Sequence, residues 1–333
     1  MKNRLLSQDR AIEKLTKAQE RELVRAYSQA LKAIRGDIAL AFEKYDGSYS
    51  EMTKYNRLRN LEGQIGEQIR LVTGKTATNL KGGAIQSFAE SYYRTGYALE
   101  TEVMAKLGFG MLDPKVIEAA IINPFDRYGT KRKDSLGFLV RNSENSQKLF
   151  QQLRQELTQA LIQGKSYQET ARIIKKRIET GATNVLRIAR TENHRCQVSG
   201  TLKGFDQAES KGVEMDRVWS ATLDERTRSS HGAMDGQKAN KEGLFNFKGM
   251  LVEGPGLTGT VDDIWCRCRP RAEVKGYPPN LRRVRRSDES YQDAIKKEKE
   301  QATREGREPR PVSRSEVLPY KTYDEWKKER ISK

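Results

Sequence analysis

Histidine and cysteine are scarce in this chain, whose 333 residues include two histidines and three cysteines. Two histidines are too few to build an HNH-type nuclease centre in its usual form, and no Gly-rich phosphate loop of the P-loop kind is present. Cys266 and Cys268 are separated by one residue, and cysteines at this spacing rarely reach disulfide geometry. The cysteine content therefore predicts a reducing compartment and no disulfide framework.

Long apolar runs are also absent from the sequence. No run approaches the roughly 18 residues that a membrane-spanning helix needs, and residues 1–15 lack the apolar segment of a signal peptide. We therefore expect a protein that is made and used in the cytoplasm and has no membrane partner.

Basic residues, in contrast, are in excess. The chain has 62 Lys and Arg against 45 Asp and Glu, which gives a formal net charge of +17. Lysine and arginine release counterions when they bind phosphate backbones, so nucleic acid is the first candidate partner and an acidic protein the second. The alternative is a solvated, lysine-rich helical surface, because charge gives affinity without specificity.

The first third of the chain has the apolar periodicity of helices. Between residues 5 and 107 apolar residues recur mostly at spacings of three, four and seven, with charged residues on the other faces. Turns are predicted at residues 36–37, at residues 45–50 and at Gly74. Residues 1–108 are therefore predicted to form a basic, up-and-down bundle of three helices.

The middle of the chain alternates between irregular and helical patterns. Residues 109–145 are predicted to be an irregular connecting segment with one short helix at residues 116–122. Helical periodicity returns at residue 147, and Ser166 with Glu169 forms a capping box that begins a new helix. Gly181 is predicted to end that helix, and a further helix follows.

Short strands are predicted after residue 212. Residues 213–222 are typical of one strand, and residues 245–247 and 250–252 of two more, bounded by glycines. Residues 146–275 are therefore predicted to be one domain, in which a helical segment packs on a small mixed α/β part. The fold class is α+β, predominantly helical.

Residues 276–333 are predicted to be a charged tail, either flexible or a single exposed helix. Tyr320, Tyr323 and Trp326 could anchor its end. A run of arginines, Arg282, Arg283, Arg285 and Arg286, stands near its start.

Soft and borderline metal ligands are concentrated between residues 231 and 268. His231, Cys266 and Cys268 are side chains that zinc accepts in tetrahedral structural sites, with Asp224, Asp235 or His194 as the fourth ligand. The CxC pair lacks the usual two-residue spacer of zinc sites. The alternative is that the cysteines are small core residues and that His231 hydrogen-bonds a carboxylate.

The charged residues near Trp219 have two interpretations. In the first, Asp224 accepts backbone amides of its turn, and arginines of the turn pair with Glu192, so that Arg190, Glu192, Trp219, Asp224 and Asp235 form an internal network. In the second, the arginines form a phosphate-binding patch. The patch would consist of Arg226, Arg228, Arg267 and Arg269, with the Arg282–Arg286 run as a further DNA-binding segment.

These motifs occur in one order along the chain. Residues 189–192 on a helix, Trp219 on a strand, residues 224–231 with Asp235-Gly236, and Cys266-Arg267-Cys268 follow one another. The ordered set resembles the C-terminal domain of phage head-morphogenesis proteins, the minor head protein family typified by the phage Mu F-like proteins. The resemblance covers roughly residues 146–273.

The resemblance implies a minor capsid component that sits near the portal vertex and affects how DNA is packaged or ejected. The implied partners are the portal protein, scaffold or capsid proteins and double-stranded DNA. The implied location is the procapsid interior and the virion, with the host cytoplasm during assembly. No enzymatic activity is expected, since neither an orienting third group nor an oxyanion donor can be named. The alternative function is a metal-dependent nuclease centred on His231, Cys266 and Cys268.

Overall fold

Helices dominate the computed structural model, which describes residues 4–43, 51–122, 137–163, 165–275 and 281–319 and is 67% helical. The helices are α1 (Arg4–Glu43), α2 (Glu51–Glu102), α3 (Pro114–Ile122), α4 (Gly137–Ile162), α5 (Tyr167–Glu209), α6 (Ser229–Gly232) and α7 (Asp288–Arg304). The strands are β1 (Met215–Ser220), β2 (Phe245–Phe247), β3 (Met250–Val252), β4 (Arg269–Val274), β5 (Leu281–Arg285) and β6 (Ser315–Pro319). This architecture confirms the predicted α+β, predominantly helical class.

The chain divides into two compact units that interleave in sequence. Unit 1 contains Met1–Ala11, Glu90–Met111 and Gln197–Lys333, and unit 2 contains Ile12–Ala89 and Leu112–Cys196. No helix among the described residues is both long enough and apolar enough to cross a membrane.

Unit 2 is a helical bundle with one apolar core. The stripe on α2 shows how the sequence produces it, because Leu61, Ile65, Ile69, Val72 and Leu80 recur at helical spacing and are all buried. Neighbouring helices α1, α4 and α5 contribute to the same core. Its members from these three helices include Leu23, Ile34, Ile38, Phe138, Leu149, Leu153, Ile174, Ile178 and Val185.

Three predicted interruptions of helices are wrong. α1 continues through residues 36–37, α2 continues through Gly74, and α5 continues through Gly181. Glycine in a helix interior costs only about 1 kcal/mol, so a continuous apolar stripe outweighs it. The described residues between 5 and 107 therefore form two long helices instead of three, and α4 begins at Gly137 rather than near residue 147. The predicted turn at residues 45–50 lies outside the described residues.

Unit 1 contains the strands and a second apolar core. Leu99 and Leu107 pack with Val198, Leu202 and Phe205. A Cβ at Gly204 would lie 2.8 Å from Thr95 Cγ2, so α5 and the end of α2 approach closely within this unit. The small sheets pair β1 with β4, β2 with β3, and β5 with β6, all antiparallel.

Several local predictions agree with the structure. The Ser166 N–H donates to Glu169 Oε2 at 3.0 Å and the Glu169 N–H donates to Ser166 Oγ at 3.3 Å, the two bonds of a capping box. β2 and β3 have the predicted bounds, and α3 includes the predicted residues 116–122. The tail differs from the prediction, because β5 and β6 pair on either side of α7. Tyr320, Tyr323 and Trp326 lie outside the described residues.

Candidate metal centre

The two-stranded sheet formed by β1 and β4 carries the candidate site. Trp219, near the end of β1, is paired with Pro270 at the start of β4. On its other side Trp219 is bonded to a loop, because its N–H donates to Gln237 O at 2.9 Å and its carbonyl accepts from Gly236 N at 2.8 Å. These pairings bring the segment after β1 close to the chain that enters β4.

Aromatic rings enclose one side of the site. Trp219 is fully buried and stacks on Phe247, with ring centroids 5.6 Å apart and an interplanar angle of 3°. Phe245 and His231 meet Trp219 edge to face, at 5.5 and 6.3 Å. His231 also meets Phe247 edge to face, at 5.7 Å. The imidazole is therefore held in a dry, aromatic environment, in which each polar atom needs a partner.

The β2–β3 hairpin positions two of these rings. Its two-residue turn, Lys248-Gly249, has φ values of 53° and 83°, and a type I′ turn requires positive φ at both positions. Alternation along β2 then buries Phe245 and Phe247 on one face and exposes Asn246 on the other.

Asp224 organises the turn that follows β1. Its Oδ1 accepts the Arg226 N–H at 3.1 Å and a guanidinium N–H of Arg267 at 2.7 Å, and its Oδ2 accepts a second N–H of Arg267. Thr222 Oγ1 donates to the Arg267 carbonyl at 3.0 Å. Asp235 closes the same turn by accepting the Ala221 N–H at 2.7 Å. A bidentate arginine–carboxylate pair thus fastens the turn to the segment between the two cysteines.

His231, Cys266 and Cys268 meet in the interior of unit 1. Their exposed fractions are 3%, 5% and 2%, and their three ligand atoms all lie within 4.8 Å of one another. His231 Nδ1 lies 3.3 Å from Cys268 Sγ and 3.7 Å from Cys266 Sγ. The other ring nitrogen, Nε2, is buried and has no hydrogen-bond partner among the described residues. Asp262 Oδ1 lies 3.8 Å from it, too far for a hydrogen bond.

A tight loop before Cys266 supplies two carboxylates. Asp263 is buried and accepts Thr258 N–H, Thr258 Oγ1–H and Gly259 N–H at 2.8 to 3.0 Å. Asp262 is less buried and accepts Lys248 Nζ at 2.8 Å. Arg228 holds the backbone of this loop in place, because its guanidinium donates to the carbonyls of Asp262 and Ile264 at 3.1 and 2.6 Å.

The protonation of the site follows from these contacts. A hydrogen bond from the Cys266 thiol to the Cys268 sulfur raises the pKa of Cys266 well above its usual value and lowers the pKa of Cys268. His231 also lowers the pKa of Cys268. The ion pair with Lys248 lowers the pKa of Asp262, whereas burial raises the pKa of Asp263. These contacts favour the thiolate form of Cys268, the form in which cysteine binds metals.

The arginines of the predicted phosphate patch have different environments. Arg267 is engaged by Asp224, and Arg228 by two carbonyls, so both hold the turn and loop rather than standing free. Within the described part of the chain, neither Arg226 nor Arg269 has a side-chain ion pair, and Arg226 is exposed. Of the predicted basic run, Arg286 donates to Glu316 at 2.8 Å. Arg282, Arg283 and Arg285 lie on β5, and their side chains are outside the described residues.

The predicted pairing of Glu192 with arginines of the turn differs from the pairing that the structure shows. Glu192 accepts from Arg141 and Arg195, both in unit 2. Arg190 donates to both oxygens of Glu20, also in unit 2. Asp224 is instead paired with Arg267 in unit 1. The ion pairs of Glu192 and Arg190 therefore lie within unit 2, and that of Asp224 lies within unit 1.

Sequence reasoning missed the two carboxylates nearest the His–Cys–Cys group. The sequence predicts Asp224, Asp235 or His194 as the fourth ligand, but Asp224 and Asp235 are engaged in the turn, and His194 belongs to unit 2. Asp262 is instead the carboxylate closest to the second histidine nitrogen. Its signal in the sequence is the Thr260-x-Asp262 spacing, since the Thr260 hydroxyl accepts the Asp262 N–H and begins a helical turn.

Comparison with known proteins identifies relatives over most of the chain. Residues 151–271 match the family described as Phage Mu protein F like protein. The chain is 30% identical over 290 residues to Minor head protein GP7 of Bacillus phage SPP1, a match that covers 85% of this chain and 91% of that protein. It is 27% identical over 314 residues to NAD(+)–arginine ADP-ribosyltransferase EFV of Enterococcus faecalis. That match covers 94% of this chain but 57% of the Enterococcus protein. No solved structure matches the chain.

The match to the SPP1 protein extends well beyond the motifs that carry the resemblance. It covers 85% of the chain, so it includes much of the helical part as well as the strands around Trp219. The match to the Phage Mu protein F like family covers the segment that contains Asp224, His231 and the two cysteines. The chain therefore belongs to the phage minor head protein family, and its role lies in phage head morphogenesis.

Proposed function

We propose that this minor head protein acts at the portal vertex during head assembly, and that it contacts DNA without reading its sequence during packaging or ejection. The observation that carries the proposal is the 85% coverage of the chain by a minor head protein, together with a net charge of +17. This role places the protein in the host cytoplasm during assembly, and then in the procapsid interior and the virion.

The proposed DNA contact depends on basic side chains that have no carboxylate partner. Arg226 and Arg269 meet this condition within the described residues, whereas Arg267 and Arg286 are already ion-paired. An arginine that is not neutralised locally can release a counterion from a phosphate backbone. We assign Arg226 and Arg269 to this contact, together with the β5 arginines Arg282, Arg283 and Arg285.

The salt dependence of DNA binding tests this assignment. Each phosphate contact contributes a slope of about −0.9 to log K against log salt, so Arg226→Ala/Arg269→Ala should reduce the slope by about 2 units. The matched control is Arg25→Ala/Arg70→Ala, which removes the same charge at exposed arginines already paired with Glu22 and Glu67. Equal slopes for the two double variants would exclude the assigned contact.

Portal association is tested by co-sedimentation of the full chain with the portal oligomer of the same phage. We expect the chain to move with the portal at raised salt, where contacts that depend only on charge are screened. An unrelated basic protein of similar mass is the control. Sedimentation of the chain apart from the portal under these conditions would contradict the proposed role.

We further propose that the protein is not an enzyme, which excludes the metal-dependent nuclease alternative. His231, Cys266 and Cys268 are all buried, whereas a metal that cleaves DNA needs an open coordination position that the substrate can reach. Incubation of the purified chain with plasmid and divalent metals should therefore leave the plasmid intact. Nicking that disappears in His231→Ala would overturn this proposal.

The ADP-ribosyltransferase activity is named for a protein of which this chain spans 57%. We propose that the shared part is the head-protein part, because nearly the same length of chain matches a minor head protein. Purified chain incubated with labelled NAD(+) and an arginine-containing acceptor protein should transfer no label. Transfer of label at a rate above that of heat-denatured chain would contradict the proposal.

A further inference from the structure

The His231, Cys266 and Cys268 group has the composition and burial of a metal site. All three side chains are more than nine-tenths buried, and each offers a nitrogen or sulfur ligand to the same small volume. Two sulfurs and one imidazole nitrogen are the ligands that zinc prefers in proteins. Buried polar groups of this kind otherwise carry a desolvation cost, which a shared cation would offset.

The distances fit a tetrahedral zinc ion. With Zn–S of about 2.3 Å and Zn–N of about 2.0–2.1 Å, nitrogen and sulfur ligands of one ion lie about 3.5 Å apart. In the structure His231 Nδ1 lies 3.3 Å from Cys268 Sγ and 3.7 Å from Cys266 Sγ. Modest side-chain shifts would bring both sulfurs to coordination distance from one ion.

The second nitrogen of the histidine supports the same assignment. If Nδ1 binds the ion, Nε2 carries the proton, and this atom is buried and lacks a hydrogen-bond partner among the described residues. Asp262 Oδ1 lies 3.8 Å from Nε2, so a small side-chain shift would let this carboxylate accept an Nε2–H. Metal-bound histidines commonly donate their other N–H to a carboxylate, which fixes the orientation of the ring. Lys248 and Thr260 in turn hold Asp262.

We propose that the protein binds one Zn²⁺ through His231 Nδ1, Cys266 Sγ and Cys268 Sγ, with Asp262 as the carboxylate that orients His231. Two thiolates balance the charge of the ion, so the buried group is neutral as a whole. Binding releases the thiol protons to solvent. Asp263 is not used as a ligand, because Thr258 and Gly259 engage both of its oxygens. The described residues supply three ligands to the ion.

The ion would cross-link two segments of unit 1. His231 lies on the short helix α6 after β1, and the cysteines lie immediately before β4, so one ion ties the segment that leaves β1 to the segment that enters β4, at one end of the strand pair. A structural zinc site contributes directly to folding free energy. This inference is independent of the portal and DNA contacts proposed above.

The test is the metal content of the full-length protein. After expression with zinc in the medium and gel filtration, we expect one zinc per chain by elemental analysis, and Cys268→Ser and His231→Gln should lose it. Cys196→Ser is the matched control, since Cys196 is also buried but belongs to unit 2, and it should keep one zinc. Asp262→Asn should keep the stoichiometry but weaken affinity about 10–100-fold in chelator competition.

A second measurement covers the case in which the ligand variants do not fold. Wild-type protein exchanged into Co²⁺ should show a thiolate-to-cobalt charge-transfer band and the visible bands of tetrahedral cobalt. Wild-type protein that contains only traces of zinc and shows no such bands would overturn the proposal. A disulfide between Cys266 and Cys268, found by mass spectrometry of the alkylated protein, would overturn it equally.

Discussion

Glu192 shows how single charged residues stabilise the helical core. It is buried, and its carboxylate accepts from Arg141 and, at 2.9 Å, from the buried Arg195. Removing one partner of a buried ion pair leaves the other charge without compensation and costs about 3–5 kcal/mol. Glu192→Ala should therefore lower the free energy of unfolding by that amount, measured by urea unfolding followed with far-ultraviolet circular dichroism.

The control for Glu192 is Glu22, which pairs with Arg25 at 2.7 Å on the surface of α1. Both side chains of that pair are more than half exposed, so water and salt screen their attraction. Glu22→Ala should change the free energy of unfolding by less than about 1 kcal/mol. Equal losses for the two variants would show that burial of Glu192 does not determine its contribution.

Tyr27 provides a pH-dependent prediction in the same core. It is buried, and burial raises its pKa from 10.0 to about 12. Because the folded pKa lies above the unfolded pKa, this stabilisation is complete below about pH 10 and is lost as pH rises from about 10 to 12. Wild type should lose up to about 3 kcal/mol more than Tyr27→Phe across this window.

Urea unfolding at several pH values across the window measures the difference between wild type and Tyr27→Phe. The matched control is Tyr97→Phe, because Tyr97 is exposed. The control should follow the wild-type pH profile. A Tyr27→Phe profile parallel to that of wild type would contradict the assigned cause.

The residues of the candidate metal centre were partly predictable at this scale. With two histidines and three cysteines in the chain, the sequence leaves few alternatives for a soft-ligand site, and His231, Cys266 and Cys268 do lie together. Asp262 was not predictable as the carboxylate near His231, because its position depends on the Thr260 turn and on Arg228 holding the loop. Contacts made through backbone carbonyls leave no pattern in side-chain spacing.

At the scale of elements, local sequence signals predict where helices and strands begin better than where helices end. The Ser166–Glu169 capping box and the glycine-bounded β2 and β3 were found because each depends on neighbours in sequence. The glycine signals predict helix ends at Gly74 and Gly181, yet α2 and α5 pass through them. Tertiary packing of a continuous apolar stripe overrides the low helix propensity of one glycine, and this packing is not visible locally.

Two glycines of α2 allow the effects of helix propensity and of packing to be measured separately. A Cβ at Gly74 would meet nothing within 4 Å, so Gly74→Ala should raise the free energy of unfolding by about 0.5–1 kcal/mol through helix propensity. A Cβ at Gly96 would lie 2.5 Å from the Phe109 ring. Gly96→Ala should therefore destabilise by about 1–3 kcal/mol, because the ring must move.

Thermal melting of the two alanine variants is the measurement, and each serves as the control for the other. The substitution and the helix are the same, so only the surroundings of the new methyl group differ. A loss of stability in Gly74→Ala would indicate a helix end at this position, as the sequence suggested. Equal shifts of the melting temperature in both variants would exclude contact with Phe109 as the cause of the destabilisation of Gly96→Ala.

At the scale of the whole molecule, the two units are assembled from segments that are distant in sequence. Residues 90–111 belong with residues 197–333, and α2 and α5 each run through both units. A division into consecutive domains, 1–108, 109–145, 146–275 and 276–333, is what composition and turn signals favour, because they are read along the chain. Apolar contacts between Leu99 and Phe205 leave no such signal.

Interleaving of this kind predicts the result of truncation. Leu99 and Leu107 are buried against Val198, Leu202 and Phe205, so a fragment of residues 109–333 would expose the apolar side chains of α5 that they cover. We expect this fragment to aggregate in size-exclusion chromatography. In the full chain Leu99→Ala should cost about 2–5 kcal/mol, whereas Leu71→Ala, at an exposed position of the same helix, should cost less than about 1 kcal/mol. A monodisperse fragment 109–333 with native circular dichroism would instead show that residues 146–275 form a domain whose stability does not depend on the N-terminal helices.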